Sequence, residues 1–224
     1  MRAGAVLGAA ACLLLAGVPD PGAAVFAASP TPLYQVPEPG SYALPAIRRV
    51  SDHELLGPGG QPERMFPPGG AEISVVAFVY THCSEARGCP AAFSTLRGLD
   101  RRLSLRPELA RRVRLVTVSF DPERDTPERM AQLRDQLKPR TRWRFLTAPG
   151  RLELRTLLGD FGQNVLEQLS EDGEPTGVLR HVLQIFLVDA DLAVRNIYSS
   201  GLLDPRLLLA DIRTVLLERD ATQR

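Results

Sequence analysis

Two cysteines with five residues between them, Cys83 and Cys89 in "YTHCSEARGCP" (residues 80–90), are the side chains of this chain best equipped for chemistry. Two sulfurs so placed can do one of three things: close a disulfide that staples a loop, turn over as a redox pair, or bind a metal as two thiolates. Gly88 gives the loop the freedom to fold back and bring the sulfurs to disulfide or metal distance. The spacing is too wide for the tight pair of a C-x-x-C oxidoreductase. A wider pair could still work as a thiol–disulfide reductase, with Cys83 as the catalytic attacking thiol and Cys89 resolving the mixed disulfide. Two further stretches carry candidate groups. "VSFDPERDTPERM" (118–130) places Asp121 after an apolar run, with Asp125 or Thr126 as the cap of a following helix. "VLRHVLQIFLVD" (178–189) places His181 before another apolar run, after a loop-like "EDGEPTGVLR" that reads as a mobile hinge.

The surrounding elements decide whether these groups meet. "ISVVAFVY" and "VRLVTVSF" are β-branched, near-continuous apolar runs, as expected of strands buried on both faces. A helix is expected from about Cys89, with Phe93, Leu96, Leu99 and Leu103 on one face and Pro107 beyond its end. Helices over 126–137 and 151–161, a short strand over 143–146, strands over 182–189 and 192–199 joined as a hairpin, and a last helix from Asp204-Pro205 follow. That order predicts an α/β chain of the thioredoxin-like sandwich class, a central mixed sheet flanked by helices. Pro- and Gly-rich residues 28–72 read as an N-terminal extended arm or hairpin, ahead of a domain spanning 73–220. Cys83 then falls where the first buried strand ends. Cys89, followed by Pro90, falls at a helix N-terminus, where the partial positive charge favours a thiolate.

Composition bounds the partners and the compartment. The 224 residues carry a formal net charge of +1, and the basic residues, Lys138 being the only lysine, are scattered among nearly as many acids. Nothing in that pattern calls for nucleic acid. Arg2, the apolar run 3–18 and the small residues up to Ala27 read as an export signal over residues 1–27, cleaved or kept as a membrane anchor. The expected location is therefore periplasmic or otherwise exported, an oxidising setting in which a disulfide could persist. Cys12 lies inside the signal, which leaves Cys83 and Cys89 as the cysteines of the mature chain. His82 should point away from Cys83 if the strand continues, His53 lies in the arm without a supporting neighbour, and Met65 and Met130 are isolated.

Taken together, "VVAFVYTHCSEARGCPAAF", "VTVSFDPERDTPERM", "RWRFLTA" and "RHVLQIFLVDADLAVRNIYSSG" resemble the SCO/SenC family of copper proteins, over about Tyr42 to Leu217. The resemblance implies a thioredoxin-like fold, export, often a membrane tether, and one copper held by two cysteines and a histidine. Residue by residue, these ligands fall on Cys83, Cys89 and His181; Asp121, the one carboxylate placed at a strand end, is the outer-shell candidate on its position alone. The resemblance also implies a role in delivering metal to the dinuclear copper centre of cytochrome oxidase, or to another exported copper protein, or in reducing the cysteines of that centre. The better-known members leave three residues between the cysteines; the longer interval here, with Glu85 and Arg87, resembles a bacterial branch. Two thiolates and an imidazole form a soft set suited to Cu(I), and to Cu(II) when an oxygen ligand joins; zinc could use the same three with water.

Overall fold

The arm is drawn into the sheet that it precedes. In a computed structural model, which describes residues 34–82 and 88–224, it supplies three short strands: β1 (Arg48–Arg49), β2 (Glu54–Leu56) and β3 (Pro62–Arg64). Strand β1 pairs with one edge of the sheet, and the β2–β3 hairpin extends the other.

The central strands follow the buried apolar runs. Strand β4 (Ile73–Val79) leads to α1 (Cys89–Ser104) and α2 (Pro107–Arg112), then β5 (Val113–Ser119), α3 (Pro127–Leu137), β6 (Trp143–Thr147) and α4 (Arg151–Phe161). Every residue of β4 and β5 is buried, as strands covered on both faces require. The two run parallel from Ile73↔Val113 to Val79↔Ser119, and β6 continues parallel beside β5. After α4, β7 (Val165–Leu169) and β8 (Pro175–His181) form a separate two-stranded sheet. Strand β9 (Ile185–Asp189) returns antiparallel beside β4, β10 (Ala193–Tyr198) pairs with β9, and α5 (Pro205–Thr222) closes the chain. The main sheet has the order β1-β10-β9-β4-β5-β6-β2-β3, a mixed sheet with parallel centre and antiparallel flanks.

Helices α1 and α5 pack together and against β4 and β9, while α3 lies on β6. Helix α4 delivers Phe161 onto Phe78 of β4 and Phe186 of β9, in edge-on contacts with ring centres 5.1 Å apart. The caps are those the sequence supplies. Asp204 accepts from the Arg206 N–H before Pro205, and Gly162 (φ 65°) ends α4 in the left-handed region that glycine enters freely. The thioredoxin-like α/β expectation stands. Two features differ from the sequence reading: α2 and the β7–β8 hairpin. The segment read as a hinge before His181 is the hairpin's turn and second strand, and His181 is that strand's last residue.

Candidate metal centre

Cys89 is the first residue of α1, after Gly88 and before Pro90. Its side chain is buried, at 2% exposure, and its Sγ accepts the Tyr80 N–H at 3.4 Å. The first turn of α1 holds no acidic residue, so nothing there opposes the positive helix end. The same tyrosine reaches the histidine. His181 sits opposite Val165 at the end of the hairpin, half-buried, with its ring 4.6 Å from Phe120 and 6.1 Å from Tyr80. Tyr80 and Phe120 pack on each other at 5.0 Å, and His181 Nε2 is shielded from solvent. A sulfur and an imidazole, 92 positions apart in the chain, thus both contact Tyr80 just past the carboxyl end of β4, the sulfur at its backbone N–H and the imidazole at its ring. Such a soft pair in an aromatic cage fits a soft metal, copper above all. Cys83 lies outside the described residues.

Asp121 follows the end of β5. Its N–H donates to Ser119 Oγ at 3.0 Å, and its carboxylate pairs with Arg124 at 3.2 Å. Together with Phe120 and Leu179 it lines a cleft of about 260 Å³. Phe120, the residue before Asp121, carries the His181 ring against it at a tilt of 57°.

Of the two residues offered as the α3 cap, Asp125 has a different task. Thr126 is the α3 cap, accepting from the Arg129 N–H. Asp125 is fully buried and takes three hydrogen bonds: from the Thr81 N–H (2.9 Å), the Thr81 hydroxyl (2.5 Å) and the Ser119 hydroxyl (2.6 Å). It ties the end of β5 to the residue two positions before Cys83. A sequence signal existed: hydroxyl residues at or just past the ends of two adjacent strands, facing a buried acid. Arg129 Nε adds a bond to Thr81 Oγ1 at 3.2 Å.

The remaining candidates separate cleanly. His82 is exposed, with Nδ1 3.2 Å from Thr81 Oγ1. His53 has the neighbour its sequence context did not reveal, Asp160 at 2.9 Å, and this contact fastens the arm to α4. Burial would raise the Asp160 carboxyl, but hydrogen bonds from Ser51 and His53 outweigh it and hold the group below its ordinary value. Met65 and Met130 are core residues. Among the described residues no helix is long and apolar enough to cross a membrane.

Comparison with solved structures gives the same fold. The copper-bound ScoI of Arabidopsis thaliana aligns with a TM-score of 0.62 and 18% identity, covering 75% of this chain and 98% of that one. Apo Sco1 of Thermus thermophilus aligns at 0.62 with 24% identity, over 79% and 95%. BsSco, described with a disulfide switch and as a member of the Sco family of cytochrome c oxidase assembly proteins, aligns at 0.57 with 20% identity, over 81% and 97%. A search of curated protein sequences gives no match. The family model for SCO1/SenC matches residues 55–217, well over half of the chain and inclusive of Cys83, Cys89, Asp121 and His181, so the chain belongs to the SCO1/SenC family.

Proposed function

We propose that this protein is an exported copper carrier that holds one copper through Cys83, Cys89 and His181 and passes it to an oxidase copper centre. The observation that carries the reading is the convergence of Cys89 and His181 on Tyr80, from a helix start and a hairpin end far apart in sequence. A structural staple or a plain thiol exchanger has no use for the histidine. Copper here is cargo. The thiolates supply affinity for Cu(I), the imidazole completes the set, and the Tyr80–Phe120 cage excludes water that would favour oxidation. Residues 1–27 would take the chain out of the cytoplasm as a cleaved signal or a retained anchor. The recipient would be the copper-bearing subunit of a cytochrome oxidase, as the relatives' assembly role supports, or another exported copper protein.

Oxidation of Cys83 and Cys89 to a disulfide would remove both thiolates, so loading would require the reduced pair. The test is a competition titration of copper against a chelator for the wild type and His181→Ala, with a thiol-exchange assay on both. The carrier reading expects copper affinity to fall at least about tenfold, one ligand's worth, with thiol exchange unchanged. Unchanged copper affinity would hand the site to the thiol–disulfide reductase reading.

A further inference from the structure

Away from the cysteine end of the sheet, three arginines line a cleft whose lining holds no carboxylate, and only Arg144 among them has an ion-pair partner, Glu63, among the described residues. Arg114 is the second residue of β5, so it stands at the opposite end of that strand from Asp121. The pairing Val116↔Arg144, with alternation along each strand, sets Arg114, Arg142 and Arg144 on one face of the sheet. With the loop of residues 67–71 they line a cleft of about 380 Å³.

Arg114 is only 7% exposed. Its Nη atoms donate to the Pro67 carbonyl, and Nη2 also to that of Ala71, all at 3.2 Å. Its Nε is buried and meets no acceptor among the described residues. Arg142 donates to the Gly70 and Arg111 carbonyls. Among the described residues neither arginine has an ion-pair partner. The adjacent acids are already taken, Glu63 by Arg144 and Asp52 by Arg64. Backbone carbonyls satisfy donors but do not neutralise charge, and an unbalanced buried guanidinium is costly. Burial first, then the charge of Arg144, hold the Arg114 guanidinium below its ordinary value; Asp52 opposes this, and Arg142 adds a smaller push in the same direction as Arg144. A bound anion would relieve this, and the planar fork of arginine is suited to oxyanions.

We propose that the Arg114–Arg142–Arg144 cleft binds a compact oxyanion of the phosphate class, either free or as the headgroup of an anionic lipid. The site is independent of the copper site. The full chain, its Arg142→Gln variant and its Arg114→Met variant are titrated with inorganic phosphate by calorimetry at constant ionic strength. Each is also sedimented with phosphatidylcholine vesicles with and without phosphatidic acid. Arg142 is exposed, so its substitution tests the charge without opening the core. The expected result is saturable binding by the wild type that weakens about tenfold or more in either variant, the worth of one charge-assisted hydrogen bond. Sensitivity to Arg142→Gln in the phosphate titration assigns a free anion. The same sensitivity confined to phosphatidic acid vesicles assigns a lipid headgroup, because any pull from the N-terminal apolar run is common to all three proteins. Absence of binding by the wild type in both arms, or equal binding by all three proteins, overturns the proposal.

Discussion

Replacing Asp125 by alanine should destabilise the protein far more than loss of a helix cap would. The carboxylate receives three hydrogen bonds, two of them from Thr81 and one from Ser119, at a site with no solvent exposure. A hydrogen bond to a charged acceptor contributes about 1.5–3 kcal/mol, and the two hydroxyls can turn toward other acceptors whereas the Thr81 N–H cannot. The discounted sum is roughly 3–5 kcal/mol, the range found when one partner of a buried polar network is removed. The cap at Thr126 is the internal control, because Thr126→Ala should cost only about 1 kcal/mol. Urea unfolding separates the two. With a slope of about 2 kcal/mol per molar, Asp125→Ala should lower the midpoint by about 2 M and Thr126→Ala by about 0.5 M. Thr81 also stands two residues before Cys83, so a loosened Thr81 should weaken copper retention by Asp125→Ala at denaturant-free, low temperature, where the variant is still folded. Equal midpoint shifts for the two variants would refute this assignment of Asp125.

Two more outcomes concern pH. Burial, then the hydrogen bond to Asp211, pushes the Tyr42 phenol up to about 12. Its contribution to stability is complete below the unfolded value of about 10 and disappears as pH rises through 12. Tyr42→Phe should therefore flatten the alkaline loss of stability, and ultraviolet titration of the wild type should show a late-ionising phenol. At the acid end, Arg112 hydrogen-bonds both Glu72 and Asp220 and holds each carboxyl below its usual range. That stability is present above the unfolded carboxylate values near about 4 and is lost as pH falls through the lower folded values. Arg112→Ala should lower the thermal midpoint near neutrality and remove part of its fall in acid; a parallel displacement across all pH values would contradict the linkage.

The sequence was most legible where burial is complete. Strands β4 and β5 have no exposed residue, so composition alone announced them, and helix α4 runs over Arg151–Phe161 as its apolar spacing indicated. Legibility failed where burial is thin. Helix α2 is six residues long and buries none of them, and β7 shows mostly exposed side chains, so neither leaves an apolar period to read. The strands of the arm are two or three residues long and are defined by the sheet edges that receive them. At the site, helix-start punctuation correctly located Cys89 and the start of α3. It left the α3 cap open between Asp125 and Thr126, because an aspartate before Thr-Pro also satisfies the rules for a cap; Thr126 takes that place, and the Asp125 side chain answers to Thr81 and Ser119 across two strands.

The supports of Cys89 and His181 differ in strength, and that difference bears on release. Cys89 opens a 16-residue helix packed on the sheet and on α5, and its sulfur is already held by the Tyr80 N–H. His181 ends a strand whose sheet partner, among the described residues, is β7 alone. A two-stranded sheet is marginal by itself in water, so the packing of His181 on Phe120 and Tyr80 contributes to holding it in place. Imidazole also binds Cu(I) less firmly than thiolate does. On the proposed carrier reading, both considerations would make the histidine the ligand that a recipient protein displaces first, with the metal then resting on sulfur. A carrier built this way needs its histidine for retention more than for loading, so in the titration of His181→Ala the loss should fall on the rate of copper release rather than on its rate of uptake.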